Sequence, residues 1–173
     1  DITQTPIVLP TGISTDFDSI ETVINGGAAS VTGVELAFSQ TFDLGFFIEG
    51  NVTMAESEAE TSERPGETFP FPGQADLSGN LSVGWENEVF SARLAGNHRG
   101  RVLAGLSGDP EEDRYRSPYT QLDINVRWNV TPVVQIYADA INVTQSKDTR
   151  YYDGIRQRLF ERVQDFGSSY QIG

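Results

Sequence analysis

The chain offers few of the side chains that catalysis usually needs. Its 173 residues include no cysteine and one histidine, which excludes a cysteine nucleophile, a thiolate metal site and a zinc site built from several histidines. The histidine, His98, has no nucleophile at a suggestive spacing, and we interpret it as a surface polar residue. Residues 105–109 are Gly-Leu-Ser-Gly-Asp and depart from the Gly-x-Ser-x-Gly nucleophile motif. We therefore predict no enzyme and no cofactor.

Carboxylates gather in two acidic segments, at residues 56–67 and 109–113. Clustered oxygen ligands suit calcium. Asp109, Glu111, Glu112 and Asp113 do not follow a calcium-loop spacing, however, and Pro110 interrupts them. Both segments are typical of solvated acidic loops. We predict no metal site.

Aromatic and arginine side chains between the predicted strands could bind a small-molecule ligand. Aromatic rings stack on sugars and cations, and guanidinium groups pair with anionic chelates. The alternative is that the aromatics anchor the chain at a membrane interface while the charges are solvated, and the position of both tyrosine pairs near strand ends favours it. The candidate ligand residues are Phe69, Phe71, Arg114, Tyr115, Arg116, Tyr151 and Tyr152.

The elements that must position these residues are strands. Apolar and polar residues alternate over residues 34–42, 44–55, 77–86, 90–97, 121–130 and 134–140, and a period of two indicates strands with one apolar and one polar face. Phe47 is the main exception on the polar side. Weaker candidates are residues 2–10, which contain Pro6, and residues 166–173. The total is about eight strands, antiparallel if sequence neighbours pair.

Composition narrows the class of protein further. A net charge of −13 argues against binding to nucleic acid, because phosphates attract basic surfaces. A hydrophobic fraction of 38% is too rich for a disordered chain. No apolar run is long enough for a spanning helix, whereas the strands of a membrane barrel remain compatible with the sequence.

Three features favour a membrane barrel over a soluble sandwich. Most runs reach the 9–11 residues or so that a tilted membrane strand needs. Short connections at Asp43, residues 86–88 and residues 131–132 alternate with long loops at residues 56–74, 100–118 and 144–159, as in outer-membrane barrels. Aromatics flank the short turns, where an interfacial girdle would lie; they are Phe42, Trp85, Phe90 and Trp128.

Several segments, in this order, resemble the C-terminal part of the barrel of TonB-dependent outer-membrane receptors. Residues 25–29 and 33–36 are similar to a loop-to-strand entry, residues 50–53 to the next strand, and residues 71–72 before 80–83 to a proline-marked loop exit. Residues 137–144 resemble the near-terminal strand, and residues 167–173 the opening of the last one. The family's closing aromatic residue is missing after Gly173.

The resemblance implies an all-β, antiparallel transmembrane barrel of about 22 strands, of which residues 1–173 would supply about the last eight. We expect a fragment, without the plug domain and the earlier strands. The implied function is uptake of a scarce nutrient across the bacterial outer membrane, with the plug, the TonB complex and membrane lipid as partners. An oligosaccharide is favoured over a ferric siderophore or cobalamin. The polar strand face would line the lumen or contact the plug, through Glu35, Glu49, Arg93, Asp123, Arg127 and Asp139.

Two alternatives stay open at this stage. One is a complete, small eight-stranded outer-membrane barrel, whose interior side chains would fill. The other is a soluble carbohydrate-binding β-sandwich that uses the loop tyrosines as a sugar platform.

Overall fold

The computed structural model describes residues 27–153 and 158–173, and their regular structure consists of β-strands and two short 3-10 turns, Asp43–Gly45 and Pro110–Glu112. None of the helical turns in these ranges is long and apolar enough to cross a membrane. The strands are β1 (Ala29–Thr41), β2 (Phe46–Ala59), β3 (Leu77–Glu86), β4 (Phe90–Arg99), β5 (Val102–Gly105), β6 (Arg114–Arg116), β7 (Tyr119–Thr131), β8 (Val134–Ile141), β9 (Lys147–Asp153), β10 (Arg158–Asp165) and β11 (Ser169–Ile172).

Seven strands form one antiparallel sheet, the wall sheet, in the order β1-β2-β3-β4-β7-β8-β11. The six alternating runs correspond to β1–β4, β7 and β8, and the weaker candidate at residues 166–173 contains β11, so these predictions are confirmed. The candidate strand at residues 2–10 lies outside the described residues. Within the described part of the chain the wall sheet is open, because β1 pairs only with β2 and β11 only with β8.

The other four strands form a second sheet, the loop sheet, in the order β10-β9-β6-β5. It is built from the connections between β4 and β7 and between β8 and β11. The prediction that residues 100–118 and 144–159 are loops is therefore wrong in part. Their strands have 3 to 8 residues, too few for an alternation to stand out between glycines, prolines and charges.

The register of the wall sheet sorts side chains into an apolar and a polar face. One row crosses five strands through Ile48, Val83, Leu94, Ile124 and Ala140. Nothing in the described structure covers this face: Leu36 is 62% exposed and Ile124 39% exposed. A contiguous apolar face of this size indicates a surface that meets lipid or another apolar partner.

Phe47, the aromatic that breaks the alternation, is accommodated by a glycine. It lies directly opposite Gly84 on β3, and a Cβ atom built on Gly84 would come within 2.4 Å of the Phe47 ring. The missing side chain therefore leaves the space that the ring occupies.

The first short turn is longer than the alternation indicates. Leu44 lies in the turn with φ +73° and Gly45 follows with φ +87°, so β2 starts at Phe46 rather than at Leu44. The Trp85 indole donates a 2.7 Å hydrogen bond to the Leu44 carbonyl. The rings of Phe46 and Trp85 lie 6.4 Å apart, and those of Trp85 and Phe90 5.9 Å apart. Aromatics thus cluster at the short-turn end of the wall sheet.

Candidate functional site

The loop sheet brings together residues that the sequence suggested as ligand contacts. Tyr115 on β6 is directly opposite Tyr151 on β9, and their rings stack with centroids 6.0 Å apart and an interplanar angle of 23°. Arg101 lies over the Tyr115 ring at 3.8 Å, and Arg158 over the Tyr151 ring at 4.1 Å. Each guanidinium therefore makes a cation–π contact that fixes a ring in place.

Burial separates the candidate ligand residues into two groups. Tyr151 is 1% exposed and Phe69 9% exposed, and Phe69 packs with Ala59 and Leu103 in the core at this end of the molecule. These two rings hold the loops together and are not accessible to a ligand in this conformation. The remaining candidates retain exposed surface; they are Phe71, Arg114, Tyr115, Arg116 and Tyr152.

An open cleft of about 510 Å³ lies beside this core. Ala55 and Ser57 of β2 line one part of it, and Arg101, Leu103 and Tyr115 line another. Burial raises the pKa of the Tyr115 hydroxyl, which therefore stays protonated and able to donate a hydrogen bond. Arg101 donates a 2.6 Å hydrogen bond to Asp153. The cleft thus combines an apolar floor, an aromatic ring and a fixed cation, a combination that suits a small polar ligand.

Asp148 is a buried carboxylate on β9 that bonds to side chains of two other strands, β4 and β6. It is 7% exposed and accepts hydrogen bonds from Arg116 at 2.5 Å and from Arg99 at 3.4 Å. The Arg116 hydrogen bond, together with the positive charges of both arginines, holds the pKa of the Asp148 carboxyl below its ordinary value. Arg116 is thus anchored by Asp148, a residue that the sequence did not single out.

Asp113 links three segments at the same end of the molecule. Its carboxylate accepts hydrogen bonds from Arg64 at 2.7 Å and from the Ser107 amide at 2.9 Å, and its backbone carbonyl accepts from the Asp153 amide. The hydrogen bond to Asp113, with a further one to Glu67, raises the pKa of the Arg64 guanidinium. Asp113 is 5% exposed, so in this case the prediction of a solvated acidic loop residue is wrong.

The polar face of the wall sheet carries cross-strand contacts between the predicted lumen residues. Arg93 lies 2.8 Å from Glu49 and also donates to Ser82. Arg127 lies 3.8 Å from Asp139. Such pairs contribute about 0.2–1 kcal/mol each when they are exposed.

The two other predicted lumen residues have different surroundings. Asp123 accepts hydrogen bonds from Gln121 and from the Asn142 amide. Glu35 lies opposite Thr53 and makes no ion pair with the described residues. The assignment of all six residues to a lumen stays a prediction.

His98 lies beside Thr120, with 2.8 Å between its Nδ1 and the threonine hydroxyl. Within residues 27–153 and 158–173, no group of three or more histidine, aspartate or glutamate side chains could hold a metal ion. The Asp109 side chain accepts a hydrogen bond from the Glu111 amide and thereby caps a 3-10 turn. In the acidic segment at residues 109–113, Asp109 and Asp113 thus have structural roles.

The fold and its faces define a class of protein: an antiparallel β-barrel wall with short turns at one end and long, structured connections at the other. The family of TonB dependent receptor-like β-barrels matches residues 2–143, and the chain belongs to this family. No curated protein and no solved structure matches the chain. Barrels of this family are characteristic of the bacterial outer membrane, and the family consists of transporters rather than enzymes.

Proposed function

We propose that this chain forms part of the wall and the extracellular loops of a TonB-dependent active transporter in the bacterial outer membrane. The observation that carries the proposal is the uncovered apolar face of the wall sheet, which crosses all of its long strands and ends at an aromatic cluster beside the short turns. In a membrane barrel this face meets lipid and the aromatics lie at the interface. The match to the family supports this orientation.

The described segment would act in transport as a scaffold. Its strands form the wall, and the Glu49–Arg93 and Arg127–Asp139 pairs stiffen the face that looks into the barrel. Gating and energy coupling would come from the plug domain of the same receptor and from the TonB complex, through residues outside this chain. The long connections would capture the ligand before it reaches the plug.

We infer that the ligand is a small nutrient, with an oligosaccharide ahead of a ferric siderophore or cobalamin. The cleft beside Tyr115 supports this order, because it offers the hydroxyls of Tyr115 and Ser57 next to the guanidinium of Arg101. Sugars are commonly held by hydrogen bonds between their hydroxyl groups and polar side chains.

Uptake in the source cell tests the proposal. The receptor gene that encodes this segment is deleted and then restored, and uptake of labelled oligosaccharides, ferric siderophores and cobalamin is measured with and without a protonophore. We expect energy-dependent uptake of one ligand class that is lost on deletion. Recovery of the protein from the soluble fraction would instead favour a carbohydrate-binding sandwich, and a membrane protein close to 19.0 kDa would favour a small barrel.

A substitution in the cleft connects uptake to the described residues. Tyr115→Phe removes the hydroxyl but keeps the ring that stacks on Tyr151, so we expect a higher KM for uptake with an unchanged amount of receptor. Tyr137→Phe is the matched control, because its hydroxyl accepts a hydrogen bond from Gln171 in the wall sheet, away from the cleft. Equal effects of the two substitutions would count against a ligand in this cleft.

A further inference from the structure

Three arginines lie in one row across three adjacent strands of the loop sheet. Arg116 on β6 lies opposite Arg150 on β9, and Arg150 lies opposite Arg162 on β10. Residues directly opposite each other in antiparallel strands present their side chains on the same face, with Cβ atoms about 4.5–5.5 Å apart. Like charges at that spacing repel. We call Arg116, Arg150 and Arg162 the arginine row.

The arginine row is short of negative charge. Asp148 is the carboxylate that contacts it, and Asp148 bonds to Arg116 and to Arg99. In the described parts of the chain neither Arg150 nor Arg162 has an ion-pair partner. The arginine row and Arg99 together are thus four guanidinium groups, and among the described residues two of them pair with the one carboxylate, Asp148.

The surrounding charges do not correct this imbalance. The neighbouring carboxylates already have other partners. Glu161 lies 3.9 Å from Arg114, and Asp165 lies 2.8 Å from Lys147. The Nε atoms of Arg99 and Arg150 are buried without a hydrogen-bond partner among the described residues. A buried donor of a charged group is normally satisfied, so both Nε atoms have hydrogen-bonding capacity that the described residues leave unused.

The register places the arginine row on the same side of the molecule as the apolar face. Arg99 is opposite Tyr119, and Val102 is opposite Arg116, so the pairing of β4 with β7 continues into β5 and β6 without a shift. Every second residue of a strand lies on the same face. Counting back in twos from Leu122, on the apolar face, passes Pro118 and reaches Arg116, which therefore lies on that face. The side chain of Arg99 reaches Asp148 where Ser117 and Pro118 interrupt the strand.

The height of the arginine row matches the boundary of a membrane. Twelve residues separate Trp128, at the aromatic end, from Arg116. At a rise of about 3.3 Å per residue and a tilt of about 45°, they span about 28 Å along the membrane normal. The apolar band of an outer-membrane barrel is about 25 Å tall. Arg116 thus lies just beyond the band, at the level of lipid headgroups.

We propose that the arginine row is a phosphate-binding site on the outside of the barrel, at the level of the outer-leaflet headgroups. Guanidinium groups bind phosphate through two parallel hydrogen bonds, and several of them can share one dianion. The phosphate comes either from a lipid headgroup or from free phosphate in solution. The inference rests on the proposed membrane placement of the chain.

Binding to the full receptor that contains this segment, purified in detergent from the outer membrane, tests the proposal. The probes are phosphorylated lipid A, the same lipid A after removal of its phosphates, and inorganic phosphate. Arg162→Gln is the main variant, because Arg162 is exposed and we expect its substitution to leave the fold intact. Arg150→Gln is the second variant. The matched control is Arg158→Gln, on the same strand, whose side chain pairs with Asp153 and lies over Tyr151.

We expect Arg162→Gln and Arg150→Gln to weaken binding of phosphorylated lipid A about tenfold each, the loss of one charge-assisted hydrogen bond, and Arg158→Gln to leave it unchanged. Strong binding of lipid A together with weak binding of inorganic phosphate identifies the headgroup as the source. Equal competition by inorganic phosphate identifies a free ligand. Unchanged affinity in both variants, or equal affinity for dephosphorylated lipid A, would overturn the proposal.

Uptake separates a failure of this inference from a failure of the proposed function. If the arginine row binds nothing, both variants transport normally and bind lipid A like the unsubstituted receptor. If the receptor is not a transporter, uptake is absent while the loss of lipid A binding in the variants remains.

Discussion

Asp148 is the single residue on which the geometry of Arg116 and Arg99 most depends, since its carboxylate bonds to both. Asp148→Asn removes one negative charge from a buried group and leaves two arginines without their counterion. We expect a loss of about 2–3 kcal/mol in the stability of the loop sheet, measured as faster amide hydrogen exchange in β9. The control is Asp165→Asn, an exposed partner of Lys147, for which we expect a much smaller change because solvent screens an exposed ion pair. Similar changes in both variants would contradict the assignment.

The lowered pKa of Asp148 gives the loop sheet a dependence on pH. A carboxyl whose pKa is depressed in the folded state stabilises that state above its unfolded pKa, which is about 3.9 for aspartate. This stabilisation is lost as the pH falls through the folded value. We therefore expect hydrogen exchange in β9, corrected for its intrinsic pH dependence, to accelerate below about pH 4. In Asp148→Asn the acceleration should be smaller, and an identical pH profile would exclude this carboxyl as the cause.

Asn142 connects the end of β8 to the start of β11. It is 4% exposed, its side-chain nitrogen Nδ2 donates to the Gly167 carbonyl at 2.8 Å, and its side-chain oxygen accepts from the Ser146 backbone amide at 2.9 Å. Its φ of +55° is one that asparagine tolerates better than most residues.

Two substitutions of Asn142 separate the contribution of its side-chain hydrogen bonds from that of its backbone conformation. Asn142→Ala loses the hydrogen bonds and strains the backbone, whereas Asn142→Gly loses the hydrogen bonds alone. We expect destabilisation by about 2–3 kcal/mol for alanine and about 1–2 kcal/mol for glycine, measured as a lowered midpoint of denaturant-induced unfolding. Glycine as harmful as alanine would show that backbone conformation is unimportant here.

At the scale of elements, the two faces of β7 differ in what they tolerate. Ile124 lies in the middle of the apolar row, and arginine there, or at Val126, places a cation in the bilayer. This costs about 2–4 kcal/mol near the midplane. We expect Ile124→Arg to reduce the amount of heat-modifiable, folded receptor in the outer-membrane fraction. Thr53→Arg is the control on the polar face, because Thr53 lies opposite Glu35. Normal assembly of Ile124→Arg would reverse our assignment of the faces.

The strands of the wall sheet could be predicted from the sequence, and those of the loop sheet could not. In β7, thirteen residues with one face polar and the other apolar make the period of two visible. The strand β6 has the sequence Arg-Tyr-Arg, which fits any conformation, and it becomes a strand because β5 and β9 flank it. The types of Tyr115 and Arg116 suggested binding, whereas their partners Tyr151 and Asp148 come from another connection. Pairing between distant segments leaves no local pattern in the sequence.

At the scale of the whole molecule, the Arg64–Asp113 contact joins the β2–β3 connection to the β4–β7 connection. We expect Arg64→Gln and Asp113→Asn each to loosen these connections by about 1–3 kcal/mol, and the double variant to cost little more than either single one. Protease cleavage between residues 60 and 76, with the wall strands intact, provides the measurement. Additive effects would show that the two side chains act independently. The matched control is Arg93→Gln in the wall sheet, which should leave these connections resistant.

The contacts that join three segments at Asp113 affect the association rate of a ligand and the conformational entropy that is lost when it binds. A set of separately moving loops would lose conformational entropy each time a ligand ordered them. Here Asp113 already ties together the segments that carry Arg64, Ser107 and Asp153, so less of that entropy remains to be lost when a ligand binds. The cleft beside Tyr115 is thus preorganised, and binding to it should resemble docking into a rigid receptor, with an association rate set by diffusion and orientation rather than by loop closure.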